Sequence, residues 1–430
     1  MKVAFDISAL GLGYLNYRNR SGVFRTVITL LLELMSREEI ELHPVVLHRY
    51  SNIWDYISSD LYIRRYHTNM VKHVRSPHYS RNNLYASYRI AMEIISSTLN
   101  HHSFISQSAQ ALRLALQYIA KIDTGTRDTR NLYNIYHSPW YPLPERFTLG
   151  NARCIVTVYD LAPVLFNEFV TPKQRWFFEK LIASVDCSKD WVICISEYTK
   201  QDWCNYTGMN PDCVIVIPLA AADHFQPVTD TFVISSALQR YGIPDIPYIL
   251  GLAVFQPRKN IHTLIQSFLH VITEYPGLEL NLVLVGVSGW KDKQLYELLN
   301  KNPNLKARII FTGYVDEHDL SALYSGAIAF TFPSLFEGFG LPVLEAMKCG
   351  TPVIASNTTS IPEVVGNAGI LIDPMDKDSL CQAILKVVHD SELQKRMSLQ
   401  SIQQASIFSW QRTADETIKV YQMAVGDSRC

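Results

Sequence analysis

Short, continuous runs of apolar residues alternate with stretches of helical periodicity along most of the chain. In the first half these runs cover residues 2–7, 42–48, 154–159, 191–196 and 213–217. In the second half they cover residues 247–253, 281–287, 308–315, 327–332, 352–356 and 369–373. Runs that are apolar throughout, rather than at every second position, are typical of strands buried on both faces. Their alternation with helices predicts an α/β fold built from doubly wound parallel sheets.

The alternation is interrupted at residues 218–246, where prolines are frequent and periodicity is weak. We interpret this segment as the linker region between two Rossmann-like domains that face each other across a cleft. The predicted boundaries are 1–222 for the N-terminal domain and 223–408 for the C-terminal domain. Residues 409–430 are predicted to contain a helix, capped by Ser409, that packs back on the N-terminal domain.

A segment of the first half, residues 55–133, fits the alternation poorly and is predicted to be a helical, basic insertion. Residues 61–92 within it carry six basic side chains and no acidic ones. One interpretation is a solvated helical insertion with one face on the core. The other is contact with a membrane surface or an anionic acceptor, which would make the protein membrane-associated. No nucleic-acid recognition motif accompanies the basic residues, so no nucleic-acid partner is expected.

Composition narrows the class of protein. Of the 430 residues, 48% are hydrophobic and 18% are charged, which predicts packed domains rather than a disordered chain. No signal-peptide pattern and no apolar run of about 20 residues is present, so a cytoplasmic location is expected. The eight cysteines include no CxxC pair. We interpret them as mostly buried free thiols, with zinc binding or disulfides as the alternative.

Two glutamates, Glu337 and Glu345, stand on either side of a predicted helix start. Pro342 fits the first turn of that helix, because its missing N–H forfeits no hydrogen bond there. Glu337 then lies in a loop after a strand, where open α/β sheets bind ligands, and Glu345 lies in the first helical turn. The helix N-terminus is an anion site, and Gly338 and Gly340 let backbone N–H groups approach a ligand. We interpret the carboxylates as clamps for the hydroxyl-rich ends of a nucleotide sugar, with its diphosphate between them.

A second stretch, "PRKN" at residues 257–260, supplies positive charge. Arg258 and Lys259 follow a predicted strand, and Asn260 is expected to cap the next helix. Two adjacent cations at this place would neutralise a diphosphate.

Two further motifs have a structural and a functional interpretation. The tripeptide "DKD" at 376–378 resembles a metal-binding D-x-D, but its place before a predicted helix favours capping. With the basic pair present, no metal and no other cofactor is expected. His137, in "YHSPWYPLP", is interpreted as a hydrogen-bonded structural histidine, with an acceptor contact as the alternative.

Together these motifs resemble the retaining glycosyltransferases of family 4 (group 1), which have the GT-B architecture of two Rossmann-like domains. The E-x7-E signature is present as Glu337 and Glu345, within "FEGFGLPVLEAM". Further matching segments are "SGVFRTVITLLLEL" (21–34), "VTVYDLAPVLF" (156–166), "CISEYTKQD" (194–202), "FTGYV" (311–315) and "IPEVVGNAGILIDP" (361–374). The resemblance covers residues 140–425 well and 1–50 moderately.

The resemblance implies roles for individual residues. Glu337 would contact the transferred sugar, and Arg258 and Lys259 would hold the leaving diphosphate. Tyr159 and Asp160 would face the sugar and the acceptor. Donor contacts would come from a larger set: Gly22, Gly338, Phe339, Gly340, Leu341 and Val343 near sugar and phosphates, Glu345 at the ribose, and Tyr314 and Val315 near the base.

The resemblance also implies a reaction, the retaining transfer of a hexose from a nucleoside diphosphate sugar to a hydroxyl acceptor. The acceptor would be a saccharide or a lipid-linked intermediate of polysaccharide or glycolipid synthesis. GDP-mannose is favoured as the donor and UDP-sugars come next, because the 156–166 segment resembles mannosyl- and glucosyltransferases. A sugar phosphorylase, a nucleotide-sugar epimerase and a non-catalytic nucleotide-sugar-binding subunit are the alternatives on the same architecture.

The chain departs from the family pattern in places. Tyr159 stands where many relatives carry His, and "PLAAAD" lacks a glycine common before the linker. Leu252 and Ala253 stand where many relatives carry Arg. The missing arginine leaves more of the diphosphate charge to Arg258, Lys259 and the helix.

Overall fold

The structure, a computed structural model, describes residues 1–15, 22–49, 53–70, 132–166, 170–252, 256–286 and 303–427. In this part of the chain two six-stranded sheets form, and all paired strands within them run parallel. Helices connect successive strands and pack on the sheets, and nearly every central strand residue is buried. The predicted α/β fold with two doubly wound parallel sheets is therefore confirmed.

The N-terminal sheet has the strand order β2-β1-β3-β4-β5-β6. Its strands are β1 (Lys2–Asp6), β2 (Glu41–Val45), β3 (Ile135–Ser138), β4 (Arg153–Val158), β5 (Trp191–Cys194) and β6 (Val214–Val216). The helices are α1 (Ser8–Leu15), α2 (Gly22–Met35), α3 (Ile53–Tyr66), α4 (Arg146–Leu149), α5 (Ala162–Leu165), α6 (Pro172–Ile182) and α7 (Glu197–Thr207). Short 3₁₀ turns cover Thr68–Met70 and Pro211–Cys213.

The C-terminal sheet has the strand order β12-β11-β10-β7-β8-β9. Its strands are β7 (Tyr248–Leu252), β8 (Asn281–Val285), β9 (Ile309–Gly313), β10 (Ala329–Phe332), β11 (Val353–Ser356) and β12 (Ile370–Ile372). The helices are α8 (Thr231–Arg240), α9 (Ile261–Glu274), α10 (Pro303–Lys306), α11 (Glu317–Gly326), α12 (Leu341–Lys348), α13 (Ile361–Val365), α14 (Lys377–His389), α15 (Ser391–Ala405) and α16 (Trp410–Gly426). A 3₁₀ turn at Pro257–Lys259 precedes α9.

Strand β3 has no counterpart among the predicted strands. It is short and contains His137 and Ser138, so its sequence lacks a continuous apolar run. Both ring nitrogens of His137 are bonded inside the protein, Nδ1 to the Tyr421 hydroxyl at 2.7 Å and Nε2 to the Thr157 hydroxyl at 2.8 Å. Burial lowers the pKa of His137 to about 3, so the ring is neutral. The interpretation of His137 as a structural histidine is confirmed.

The segment 218–246 contains the ten-residue helix α8, which the linker interpretation missed. The Asp230 carboxylate caps it by accepting the N–H of Phe232 at 2.9 Å. Ala237 and Leu238 are buried, whereas Phe232 and Val233 are exposed. Because apolar side chains lie on both its buried and exposed sides, the helical periodicity is obscured in the sequence.

The predicted insertion 55–133 begins inside helix α3, which packs against α1 and buries Leu61, Tyr62 and Ile63. This portion is thus part of the N-terminal core. Residues 71–131, with most of the basic segment 61–92, lie outside the described residues, so both interpretations of that segment stay predictions. No helix in the described part of the chain is both long and apolar enough to cross a membrane.

Helix α16 packs against α2 of the N-terminal domain. The Ser409 hydroxyl caps α16 by accepting the N–H of Arg412 at 3.2 Å, as predicted. The Thr413 hydroxyl donates to the Pro218 carbonyl at 2.8 Å, and Arg37 pairs with Asp415 at 2.8 Å. The end of the chain therefore ties the C-terminal domain to the first.

Two smaller predictions concern cysteines and the "DKD" motif. The seven cysteines in the described ranges are all free thiols, and five are buried. The Asp376 side chain caps α14 by accepting the N–H of Ser379 at 3.0 Å. Both agree with the structural interpretations.

Candidate active site

The candidate site lies where the strand order of the C-terminal sheet reverses. Strands β7 and β10 are neighbours there although about 80 residues separate them in the chain. Arg258 and Lys259 follow β7, and Glu337 follows β10. The carboxyl ends of adjacent parallel strands meet at one edge, so the two motifs of the sequence come together at the place where such sheets bind ligands.

Glu337 is held by three donors. The Lys259 ammonium lies 2.5 Å from Oε1 and the Arg258 guanidinium 2.9 Å from Oε2. The Ser334 hydroxyl donates to Oε1 at 2.6 Å. The carboxylate is 6% exposed, and Lys259 also lies 5.0 Å from the centre of the Phe332 ring. Glu337 is thus oriented by two cations from the turn after β7 and by a hydroxyl from its own loop.

The charge state of Glu337 follows from this setting. Burial alone would raise the pKa of its carboxyl, but the charges of Lys259 and Arg258 and the hydrogen bonds outweigh burial and lower the pKa below its ordinary value. The carboxylate is therefore ionised at neutral pH. A carboxylate held in this way is a poor proton donor, which favours a binding or electrostatic role over a general acid.

The loops after β7 and β10 are tied directly to each other. The Leu335 N–H donates to the Arg258 carbonyl at 2.7 Å, and the Ser334 hydroxyl oxygen lies 2.9 Å from the same carbonyl oxygen. Asn260 stands at the start of α9 in the left-handed region (φ 52°) and makes no cap bond through its side chain. Its amide instead donates to the carbonyls of Pro333 and Pro374, at 3.1 and 2.8 Å. Asn260 thus occupies the N-cap position as expected, but the expected side-chain cap bond is absent and the side chain bridges loops instead.

Helix α12 begins beside Glu337. Gly340 occupies the N-cap with φ 111°, a value that favours glycine, and Pro342 lies in the first turn, as predicted. Phe339 is buried against Phe408, with ring centres 5.8 Å apart. The N–H of Val343 donates to the Gly340 carbonyl at 2.9 Å, so a phosphate would compete with that bond. Leu341, the first residue of the helix, is partly exposed.

Glu345 lies in the second turn of α12 rather than the first, because the helix begins at Leu341. The Glu345 side chain is 6% exposed. The Arg25 guanidinium lies 3.4 Å from Oε1, and the Tyr324 hydroxyl donates to Oε2 at 3.5 Å. Burial raises the pKa of Glu345 to about 7, even though Arg25 opposes the rise. The two glutamates of the motif therefore have different charge states near neutral pH.

Gly338 contacts the N-terminal domain. A Cβ atom on this residue would lie 1.8 Å from the Tyr159 carbonyl oxygen and 2.8 Å from the Asp160 Cβ. Its own carbonyl accepts hydrogen bonds from the hydroxyls of Ser196 at 2.8 Å and Thr199 at 3.3 Å. The missing side chain of Gly338 thus admits the opposite domain, and the expectation that this glycine lets a ligand approach stays a prediction.

Asp160 and Tyr159 reach the site differently. The Asp160 side chain accepts the Ala162 N–H at 3.1 Å. It also lies close enough to Glu337, Arg258 and Lys259 for their charges to affect its pKa. Burial raises the pKa of Asp160 and Glu337 adds to the rise, whereas Arg258 opposes it. Tyr159 presents its carbonyl to Gly338, while its phenol is buried at the edge of the Trp140 ring. Of the predicted acceptor-side pair, the Asp160 carboxyl joins the cluster and the Tyr159 phenol does not.

The remaining predicted donor residues lie at the same edge of the molecule. Tyr314 follows β9 and is 63% exposed, whereas Val315 is 7% exposed. Gly22 begins α2, and a Cβ atom there would meet the Leu341 side chain at 3.6 Å. The starts of α2 and α12 therefore face each other across the cleft.

Several residues that hold this arrangement had no role in the predictions. Ser334 is close in sequence to Glu337, so its position in "PSLFEGFG" is a usable signal. Arg25 lies in a matched segment, but nothing local indicates its partner. Thr359 accepts the Glu337 N–H at 3.2 Å and the Ser360 hydroxyl donates to the Glu337 carbonyl at 2.8 Å. Such tertiary bonds carry no sequence pattern.

Comparisons with known proteins agree with this geometry. Residues 237–404 match the family model described as glycosyl transferases group 1. O-antigen chain mannosyltransferase B of Escherichia coli is 32% identical over 290 residues, covering 67% of this chain and 74% of that protein. Serotype-specific mannosyltransferase WbdA of Escherichia coli is 30% identical over 280 residues, 64% of this chain and 34% of the longer relative. This chain matches only about a third of WbdA.

Solved structures share the fold at low sequence identity. A glycosyltransferase from Rickettsia africae superposes with a TM-score of 0.63 and 16% identity, covering 100% of this chain and 99% of the other. At this identity the likeness concerns the fold, and it extends over both sheets.

Proposed function

The chain belongs to the group 1 glycosyltransferases, family 4, with the GT-B architecture, and on that basis we propose that it moves a hexose from a nucleoside diphosphate sugar to a hydroxyl acceptor with retention. The observation that carries this proposal is the ionised Glu337 between Arg258 and Lys259, at the strand-order reversal and beside the start of α12. Sugar hydroxyls suit the carboxylate, and the diphosphate suits the cations and the helix end.

The charges suit the departure of a diphosphate. Arg258 and Lys259 carry two positive charges against one negative charge on Glu337, so the trio keeps one positive charge for the leaving group. The bond between the anomeric carbon and the diphosphate oxygen breaks as the acceptor oxygen bonds to the same face of that carbon. The acceptor's proton passes to the departing diphosphate. Catalysis is then positioning and electrostatic stabilisation, and no protein nucleophile takes part.

Glu337 acts as a fixed anion in this proposal. An oxocarbenium-like transition state carries positive charge near the anomeric carbon, and an ionised carboxylate stabilises it. The three donors hold that carboxylate in one orientation before the substrate arrives. Asp160 lies on the opposite wall, where it faces the sugar or the acceptor hydroxyl.

The donor proposed is GDP-mannose, with UDP-sugars as the next candidates. The two Escherichia coli relatives are named as mannosyltransferases, which supports mannose. We propose a saccharide or lipid-linked acceptor in polysaccharide or glycolipid synthesis, and a peripheral membrane contact through the basic residues of the segment 61–92, whose first three residues are buried in the core. Arg258, Lys259 and the start of α12 supply the charge that a metal supplies elsewhere, so the proposed reaction needs no cofactor.

The test is a binding screen followed by a transfer assay. GDP, UDP, ADP and dTDP are compared for their effect on the melting temperature, because a ligand that binds the folded state raises it. The matching sugar donor is then incubated with and without methyl α-mannoside and longer mannosides. We expect GDP to stabilise the protein and GDP-mannose to be consumed with an acceptor. Binding of none of the four nucleotides would contradict the proposal, and conversion of the donor to another nucleotide sugar without an acceptor would indicate an epimerase.

A further inference from the structure

Arg25 reaches from the N-terminal domain into the C-terminal domain. It lies one turn inside α2, whose first residue, Gly22, faces Leu341 at the start of α12. Its guanidinium contacts two acidic side chains of the other domain, Glu317 at the start of α11 and Glu345 in α12. One cation of the N-terminal domain is thus shared by two carboxyl groups of the other.

The two carboxyl groups differ in burial. The Glu345 side chain is 6% exposed, whereas Glu317 is 41% and Arg25 is 34% exposed. A surface pair such as Arg25 and Glu317 contributes little by itself because water screens it. The contact with Glu345 matters more, since burial has removed the water that would otherwise stabilise the charge of that group.

The other groups around Glu345 do not replace Arg25. Burial raises the pKa of Glu345 to about 7, Arg25 lowers it, Glu317 raises it and the Tyr324 hydroxyl lowers it. His224 lies 3.9 Å from Glu317, and burial lowers the pKa of its ring. Lys348, one turn further along α12, is bound to the carbonyls of Ala221 and Ala222 and to Asp223.

The proposed function requires Glu345 to be ionised. A ribose diol can donate two hydrogen bonds, and a carboxylate accepts both, whereas a protonated carboxyl must itself donate one. A group whose pKa is about 7 is only half ionised at neutral pH. This pKa already includes the opposing charge of Arg25, so loss of Arg25 would leave the carboxyl mostly protonated at neutral pH.

We propose that Arg25 is a positioning residue of the donor site, which reaches across the cleft to keep Glu345 ionised and oriented for the ribose of a nucleoside diphosphate. The inference rests on the proposed function, in which Glu345 binds the ribose.

Calorimetric titration with GDP from pH 5.5 to 9 tests this inference on the wild-type protein and on Arg25→Ala, Arg25→Lys and Glu345→Gln. Removing an opposite charge at this distance raises a carboxyl pKa by about one unit. GDP affinity of Arg25→Ala should then fall about fivefold at pH 7 and recover almost fully at pH 9. Arg25→Lys should stay near wild type, and Glu345→Gln should remove this component of the pH dependence. The titration of GDP itself is common to all four proteins.

Arg37→Ala is the matched control, because Arg37 follows the same helix but pairs with Glu33 and Asp415 away from the cleft. It should leave both the affinity and its pH midpoint unchanged. If the GDP affinity of Arg25→Ala were lower than that of the wild type by the same factor at every pH, with the same pH midpoint, the inference would be overturned. Arg25 would then be a structural residue or a direct ligand.

A ligand-free readout separates this inference from the proposed function. The melting temperature is followed against pH for the same variants. Arg25→Ala should move the Glu345 titration upward in pH, and Glu345→Gln should abolish it. If the wild type binds no nucleotide, the proposed function fails, whereas an unmoved titration in Arg25→Ala contradicts the Arg25–Glu345 coupling alone.

Discussion

Glu337 and Glu345 are eight residues apart, are both buried, and differ in charge state because their neighbours differ. Glu337 has two cations and a hydroxyl on its carboxylate, which keep it ionised. Glu345 has a single, more distant arginine and a second carboxyl, Glu317, behind that arginine. The two carboxyl groups therefore differ in contacts and in charge state, and they do not form one acid–base couple.

Substitution of Glu337 and substitution of Glu345 should have different effects on the kinetics of transfer. Glu337→Gln removes the fixed anion near the reacting carbon, so we expect kcat to fall by about 10²–10³-fold with a smaller change in donor KM. Glu345→Gln should chiefly raise the donor KM, because the ribose lies away from the reacting bond. Steady-state rates at varied donor concentration measure both. Wild-type kinetics in both variants would contradict these assignments.

The raised pKa of Glu345 should appear in protein stability. An acid with a higher pKa in the folded protein than in the unfolded chain loses stability as the pH rises from its ordinary value of 4.5 to about 7, because only the unfolded chain releases the proton there. Glu345→Gln should therefore become more stable relative to wild type between pH 5 and 8, by on the order of 3 kcal/mol. Urea denaturation at several pH values measures this change. Glu392→Gln, at an exposed position, is the control and should keep the wild-type dependence of the unfolding free energy on pH. If the curve of Glu345→Gln also ran parallel to that of the wild type, the expectation would be refuted.

At the scale of residues, the sequence predicted where the charged groups of the site lie but not all of their contacts. Arg258, Lys259 and Glu337 could be placed because each follows a strand, and strand ends meet at one sheet edge. The pairing of Arg25 with Glu345 could not be predicted, because it depends on how two domains pack. The contact of Gly338 with the facing domain could not be predicted for the same reason.

At the scale of elements, continuous apolar runs predicted the strands of the C-terminal sheet well. Strand β3 was not predicted because His137 and Ser138 interrupt its apolar character, and the His137 ring is bonded to Tyr421, far along the chain. Helix α8 was not predicted because Phe232 and Val233 are apolar but exposed, which obscures the helical periodicity. In both elements the local pattern of apolar and polar residues does not match the burial seen in the structure.

The loop between β10 and α12 gives a prediction at this scale. Gly338→Ala places a methyl group 1.8 Å from the Tyr159 carbonyl, so the loop or the facing domain must move. We expect a loss of stability on the order of 2 kcal/mol and a large loss of activity. Thermal denaturation and transfer rates measure the two effects.

Gly277→Ala is the control for that substitution, because a Cβ atom there meets nothing within 4 Å. It should be close to neutral in both measurements. A fully active and stable Gly338→Ala protein would show that the interdomain contact at this glycine is not needed.

At the scale of the whole molecule, the two domains meet around the start of α7. The Glu363 carboxylate of α13 accepts the N–H groups of Glu197 and Tyr198, at 2.8 and 2.9 Å. The hydroxyls of Ser196 and Thr199 bond the carbonyl of Gly338. One helix end of the N-terminal domain thus fixes the loop that carries Glu337 against the opposite wall.

Whether the reaction needs a metal ion depends on the charges of the whole site. In the described ranges, no group of three His, Cys, Asp or Glu side chains is arranged to hold a metal ion. Dialysis against EDTA followed by a transfer assay tests whether the reaction depends on one. We expect the rate to stay within about twofold of the untreated protein, since the cations of the site take the charge of the diphosphate. A loss of activity that Mg²⁺ or Mn²⁺ restores would contradict the metal-free proposal.

The central claim is a retaining transfer supported by charge stabilisation around Glu337. The most direct measurement is the anomeric configuration of the first product formed from GDP-α-mannose and a mannoside acceptor, determined by NMR. An α-linked mannose is the result expected for attack on the face from which the diphosphate leaves. A β-linked product would contradict the account.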